Sequence, residues 1–249
     1  MRRIDIVCPS KGRATKVLTK NLIDQLILIV PGNEVAEYKK HNKECAVVGT
    51  PDHIKGITAT RQFILERWKE DHLFMIDDDV SEVRRNFEED PDKIRVKDKE
   101  LILELIYENA ETAKSLGTGL FGFSKIRNPV EYNPMKPISL TGFVNNSFMG
   151  FVKGHTLSYD LRFSEGEDHY MTCLAMYKYR FVYIDNRYSF MTVDNFNAIG
   201  GCNDYRTIET MKENTLKLRK VFGEVVQVKS SGPTKKKVHE GERSLIFPY

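Results

Sequence analysis

The chain has 249 residues, 41% of them hydrophobic, and 38 Lys and Arg set against 35 Asp and Glu leave a formal net charge of +3. That length builds one well-buried domain, or one domain with a modest insertion. A charge so near balance does not demand a nucleic-acid partner, although it leaves room for a local basic patch. No apolar run approaches the ~20 residues that cross a bilayer, so no membrane partner is expected. Met1-Arg2-Arg3 leads straight into an alternating apolar stretch with no secretory leader. Cys8, Cys45, Cys173 and Cys202 are far apart with no CxxC pairing, which predicts reduced, mostly buried thiols and a cytoplasmic location.

Strand and helix signals alternate through the first 80 residues. Ile4, Ile6 and Cys8 alternate with mixed positions until Pro9-Ser10-Lys11-Gly12 breaks the run, a strand followed by a loop. Leu26 to Val30 is a continuous apolar run ending at Pro31-Gly32, as in a strand buried on both faces. Asn33 is placed to cap a helix carrying Glu34 and Glu37. Ala46 to Val48 is a third strand, Gly56 to Glu70 has helical spacing, and Leu73 to Ile76 is a fourth strand running into Asp77-Asp78-Asp79. This order predicts a parallel α/β sheet. Residues 82–98 are so charged that they read as an exposed loop. Leu101 to Leu116 is amphipathic, with Leu101, Leu105, Ala110 and Ala113 on one side and Gly117 as its stop. Gly119 to Phe123 and Gly142 to Val152 are strand candidates, and the Asn- and Pro-containing segment between them is a loop near which an acceptor can sit. Glu167 to Tyr179 reads as a helix, Phe181 to Ile184 as a strand and Thr207 to Phe222 as a last helix. The folded domain is expected over 1–228, and 229–249 as a basic, polar tail.

Chemistry concentrates at a few places. Three carboxylates in a row at the end of an apolar strand raise one another's pKa, and a divalent cation relieves the repulsion. All-oxygen donors select hard ions such as Mn²⁺ or Mg²⁺, and ligands in open parallel sheets bind at the carboxyl ends of strands. Strand periodicity puts Asp77 and Asp79 on one side and Asp78 on the other. A solvated acidic turn explains the same triplet without a metal. Glu167 and Asp168 open a helix, where negative charge is favoured, and either can be a general base toward a hydroxyl. Arg61, on a mostly apolar helix, is expected to pair with carboxylate or phosphate if it faces inward. Lys11-Gly12-Arg13 suits a diphosphate but matches no standard phosphate-loop pattern. Asp194-Asn195-Phe196-Asn197 followed by Gly200-Gly201 offers oxygen ligands or simply a turn.

Taken in order, IDIVCPSKGRA, GITATRQFIL, FMIDDDV and GEDHYM resemble the opening loop, Arg-bearing helix, DxD motif and ED motif of GT-A glycosyltransferases, over roughly residues 3–200. The KGR opening, and GED followed by DNFNAIGG, are most similar to the TET-associated glycosyltransferases, thought to decorate 5-hydroxymethylated pyrimidines in phage DNA. The resemblance implies an α/β, GT-A-type, Rossmann-like mixed sheet flanked by helices in a single domain. It implies transfer of a sugar from a nucleotide-diphosphate donor, a UDP-sugar by family habit, to 5-hydroxymethylcytosine in DNA, in the host cytoplasm if phage-encoded. Pro9, Ser10, Lys11 and Arg13 then line the nucleotide pocket with Arg61, Asp77 and Asp78. Asp77 and Asp79 hold Mn²⁺ or Mg²⁺, with His169, Asp194 and Asn197 as candidates for a third ligand, of which Asp194 is carried forward. Asp168 is the catalytic carboxylate, with Glu167 beside it. Lys125 and Arg127, with Phe121 and Phe123 nearby, are candidate DNA contacts, and Lys235 to Lys237 a source of salt-sensitive attraction. A saccharide or other non-DNA acceptor is the main alternative. A sugar nucleotidyltransferase fits less well for want of a glycine-rich opening, and a non-catalytic nucleic-acid module is opposed by the acidic clusters.

Overall fold

The computed structural model describes residues 4–69, 71–126, 128–193, 207–228 and 243–248. Four parallel strands form one half of the main sheet: β1 (Ile4–Pro9), β2 (Leu26–Pro31), β3 (Ala46–Thr50) and β4 (His72–Ile76), ordered β3-β2-β1-β4. Their connections hold helix α1 (Val35–His41) and helix α2 (Ile57–Arg67). The sheet continues past β4 through β9 (Phe148–Phe151), β7 (Leu120–Ser124), β10 (Tyr183–Thr192), β5 (Val80–Arg85) and β6 (Arg95–Val96), and β8 (Ile138–Ser139) pairs with β10. β9 runs antiparallel to both β4 and β7, so the sheet is mixed.

Alternate strand residues face two different cores. Ile6, Cys8, Leu28 and Phe74 pack with Tyr38 of α1 and with Ile102 and Ile106 of helix α4 (Lys99–Leu116). Val7, Ile29 and Met75 pack on the other face with Ile64 and Leu65 of α2 and Met171 and Ala175 of helix α5 (Glu167–Tyr179). This two-sided burial is why β1, β2 and β4 are apolar almost throughout. A third cluster joins Phe163 and Cys173 to Leu218 of helix α6 (Ile208–Phe222) and Val226 of strand β11 (Val226–Val228). A further short helix, α3 (Pro91–Ile94), lies between β5 and β6.

Several expectations are corrected. The charged stretch 82–98 is not a single loop: it begins in β5, passes through α3 and ends with β6, and within that strand pair Val83 and Val96 face the core while Glu82 pairs with Arg84 and Arg95 on the other side. The buried stripe of α4 contains Ile102, Ile106, Asn109, Ala110 and Ala113, one position round from Leu101 and Leu105. Asn33 sits in a short turn of 3₁₀ helix, and Glu34 precedes α1 without a side-chain cap. Residues 142–147 of the expected strand are not strand; β9 begins at Phe148. The expected tail contains β12 (Arg243–Leu245), which pairs antiparallel with β11, while Lys235 to Lys237 lie outside the described residues.

Phe121 of β7 and Gly150 of β9 are cross-strand partners, and the Phe121 ring occupies the space a Cβ on Gly150 would need. That ring belongs to a packed aromatic group, with Phe74 at 6.0 Å from it and Phe190 at 5.7 Å from Phe74. Overpacking of this kind costs about 1–3 kcal/mol. Gly150→Ala is therefore expected to lower the urea midpoint accordingly; an unchanged midpoint would show that the aromatic group yields freely.

Candidate active site

Between β1 and β4 the strand order reverses, and open α/β sheets bind ligands in the crevice at such a point. A cleft of about 930 Å³ opens there, lined by Pro9, Ser10 and Lys11 from the end of β1 and by Asp77, Asp79 and Asp168 among others. Arg13, Arg61, Asp78 and Glu167 also border it. Every described residue carried forward from the sequence as nucleotide-binding, metal-binding or catalytic thus meets the others in one cavity. Asp194 lies outside the described residues, as do Asn197 and the paired glycines.

The three aspartates are chemically identical and placed differently. Asp77 leaves β4 with its backbone N–H donating to Ser147 O at 3.0 Å, and its carboxylate takes a 2.7 Å bond from Arg61 Nη2. Asp78 turns inward: it is 4% exposed, accepts from Ser10 Oγ at 2.5 Å and from Arg13 Nη1 at 3.0 Å. Burial raises its pKa, and the Ser10 hydroxyl and Arg13 oppose that rise. Asp79 stands 3.9 Å from Arg13 Nη1. The side chains of Asp77 and Asp79 are 30% and 20% exposed, against 6% for Asp78. The first pair therefore faces the cleft and the middle residue ties down the loop after β1. Two guanidiniums sit among the carboxylates, so the repulsion that a divalent cation was expected to relieve is already partly met by the chain's own side chains.

The loop Ser10-Lys11-Gly12-Arg13 is held from behind. Tyr38 Oη meets Ser10 Oγ at 2.7 Å and accepts from Arg13 N at 3.0 Å; burial pushes the Tyr38 hydroxyl up to about 12, so it stays protonated. Gly12 takes a left-handed φ of +68° and its N–H donates to Glu34 at 2.7 Å. Lys11 remains exposed on the cleft wall.

Arg61 is the hub. α2 turns Thr58, Arg61, Ile64 and Leu65 toward the sheet, and Arg61 is 2% exposed. Its guanidinium bonds Asp77 on one side and lies 3.6 Å from Glu167 Oε1 on the other. Glu167 also accepts 2.9 Å from Asn146 Nδ2. Burial and the neighbouring Asp168 push the Glu167 carboxyl up. Asp168 goes the other way: burial opposes ionisation, but His169, bonded at 2.7 Å from Nδ1, holds its carboxyl well below the usual range with help from Arg243. Adjacent carboxylates with pKa values driven apart are a recurrent acid–base device. The His169 ring packs on Phe143 at 4.4 Å, and its Nδ1 is the nitrogen that meets Asp168.

Tyr38, Asn146 and Tyr159 escaped the sequence reading. Tyr159 Oη donates to Asn146 Oδ1 at 3.3 Å, completing the shell behind Glu167. The signal for Asn146 was present as paired asparagines shortly before an apolar strand; nothing local marks the tyrosines. The expected aromatic contacts are overturned: Phe121 and Phe123 are buried in the core. Lys125 is exposed with its ammonium 5.8 Å from the Phe143 ring centre, and Arg127 lies outside the described residues.

This mixed sheet with its crevice at the strand reversal defines a GT-A-type α/β protein. The chain matches the family described as TET-Associated Glycosyltransferase over residues 4–201, and it belongs to that family. Solved structures share the fold at low identity. The 1–349 fragment of S. aureus TarS aligns at TM-score 0.50 and 10% identity, covering 87% of this chain and 65% of that one. The same fragment in complex with UDP-GlcNAc aligns at 0.52 and 9%, covering 87% and 66%. A mycobacterial protein aligns at 0.52 and 12%, covering 98% and 82%. The chain thus spans just under two thirds of the TarS fragment. No curated protein sequence matches it. Among the described residues no helix is long and apolar enough to cross a membrane.

Removing one partner of a buried ion pair strands the other and costs about 3–5 kcal/mol. Arg61→Met is expected to lower the unfolding free energy by about that much in urea titration. A loss within the ordinary surface range would show that Asp77 and Glu167 do not need Arg61.

Proposed function

We propose that this cleft binds a nucleotide-diphosphate sugar, UDP-linked, and transfers the sugar to a hydroxyl of 5-hydroxymethylcytosine in DNA. The observation that carries the reading is the meeting, in one cavity at the strand reversal, of a cation-bearing loop after β1, two cleft-facing carboxylates after β4 and the side chain of Asp168. Family membership supports sugar transfer, and the resemblance to enzymes thought to decorate 5-hydroxymethylated pyrimidines supports the acceptor. The fold shared with a UDP-GlcNAc complex of TarS supports the uridine donor. Cys8, Cys45 and Cys173 are free thiols, which suits a reducing cytoplasm.

The residues present fit a hard divalent cation. Asp77 and Asp79 offer oxygen donors that stay partly open to the cleft. Mg²⁺ and Mn²⁺ are commonly held by one or two carboxylates together with phosphate and water. When bound, such an ion stabilises the charge gathering on the departing diphosphate. Asp194 remains a proposed third ligand.

The chain's own groups do the rest. Lys11 sits at the cleft wall where phosphate charge would fall, and Arg13 holds the loop through Asp78. Arg61 keeps Asp77 and Glu167 at fixed spacing across the cleft floor. Asp168 accepts the acceptor hydroxyl's proton. A carboxylate held so anionic is a weak base, but the hydroxyl grows acidic as it bonds to an oxocarbenium-like sugar carbon, so transfer late in the step suffices. The sign follows: Asp168 acts when ionised, its pKa is depressed, so kcat stays flat through neutral pH and falls only in strong acid.

The test offers UDP-sugars and Mn²⁺ with DNA containing or lacking 5-hydroxymethylcytosine, read by nucleoside mass spectrometry. A hexose- or pentose-sized gain on modified DNA alone is expected. Nucleotide release with no gain on any DNA would remove the DNA acceptor and leave a saccharide or other hydroxyl in its place. In the same assay Asp168→Asn is expected to lose at least about 10²-fold in kcat while still binding donor, and Asp79→Ala to lose its response to Mn²⁺. Near-normal turnover in the first, or an unchanged metal titration in the second, contradicts the assigned role.

A further inference from the structure

Glu167 and Asp168 begin α5, and the turn that delivers them is Ser164-Glu165-Gly166. Gly166 sits at the helix start with a left-handed φ of +74°, a conformation that resists side chains. Two elements from beyond residue 201, where the family match ends, clasp this turn. From α6, Asn214 Nδ2 donates to Ser164 Oγ at 3.1 Å. From β12, Arg243 reaches in with a side chain only 8% exposed. Its Nη1 donates to Thr215 Oγ1 at 3.0 Å and its Nη2 lies 3.4 Å from Glu165 Oε1, on a side chain that is 2% exposed. The guanidinium lies close against Gly166: a Cβ there would collide with it.

We propose that Arg243 is a positioning residue for sugar transfer: from the C-terminal strand it clamps the Glu165–Gly166 turn and thereby sets the direction of the Asp168 carboxylate. The inference rests on Asp168 being the base. A buried Arg–Glu pair is often no more stabilising than apolar residues of the same volume, so its placement beneath this turn is better explained by geometry than by stability. The guanidinium's fork suits the task, because it addresses α6 and the turn at once, which an ammonium cannot do. Its charge also reaches Asp168 and favours the ionised form. The other groups acting on Asp168 are Glu167 and His169 on α5 itself. Tyr159 feels the charges of Arg61, Glu167, Asp168 and Asp77 alike, so the four acidic and basic groups share one field. Arg243 is the contribution from the C-terminal side.

The experiment compares full-length wild type with Arg243→Gln and Arg243→Lys by three readouts. These are kcat and donor KM for nucleotide release, thermal midpoint, and the titration of the Asp168 carboxyl by carbon-13 NMR. Arg243→Gln is expected to leave donor KM unchanged, to lower kcat by about 10²-fold, as misplacement of a reacting group does, and to move the Asp168 titration to higher pH. Arg243→Lys should restore the titration and recover kcat only in part. A wild-type kcat and titration in Arg243→Gln overturns the proposal, as does a fall in KM, kcat and midpoint together in both variants. If Arg243→Gln does not fold, Thr215→Val and Arg243→Lys decide: reduced kcat at constant donor KM in both supports the clamp, and wild-type kcat in both overturns it. Absence of turnover in the wild type with every donor would instead count against the Asp168 assignment, and the NMR titration would still read whether Arg243 acts on that carboxyl.

Discussion

A guanidinium taken out of water must be met by carboxylates, and most of the site follows from satisfying Arg61. Leaving such an ion unpaired costs several kcal/mol, a large share of the stability of an ordinary domain. α2 presents Arg61 on its buried face because Thr58, Ile64 and Leu65 commit that face to the sheet. Asp77 must then leave β4 toward it, and Glu167 must begin α5 beside it. The two halves of the cleft, one from the parallel strands and one from α5, are thereby tied at a single atom cluster. Glu167 is the tie, and Asp168 borders the cleft beside it.

Burial divides labour among three identical aspartates. The middle one is drawn under the loop after β1, where Ser10, Arg13 and Tyr38 build a closed hydrogen-bonded group. The outer two keep part of their surface in the cleft. The same division separates Glu167 from Asp168: one is shielded by Arg61, Asn146 and a neighbouring charge, the other is kept anionic by His169 and by a cation arriving from β12. Identity of residue type says little here; the local field decides the role.

Much of this arrangement was legible in the amino-acid order, and what was not has a physical reason. β2 and β4 announce themselves because strands buried on both faces are apolar throughout, β1 by its alternating apolar residues and the loop signal that ends them, and α5 was placed to the residue because an acidic pair favours a helix start. The triplet Asp77-Asp78-Asp79 and the Glu167-Asp168 pair stood out by composition alone. Residues 82–98 misled because β5 and β6 bury only one face, so charge dominated the count. The partners of the carboxylates were invisible for a different reason: Arg13 meets Asp78 across 65 positions and Arg243 meets Glu165 across 78, and nothing local marks either contact. Phe121 and Phe123 looked like a surface platform because neighbouring basic residues coloured them, while β7 in fact lies in the middle of the sheet.

The central claim is that one cleft joins the donor's diphosphate to Asp77 and Asp79 on one wall and the reacting hydroxyl to Asp168 on the other. Diffraction from crystals grown with UDP and Mn²⁺, collected to record manganese anomalous scattering, tests it most directly. The account predicts a manganese peak in contact with the Asp77 or Asp79 carboxylate and with the diphosphate of UDP, between β4 and the start of α5. A peak remote from both aspartates, or UDP bound outside this cleft, would contradict it.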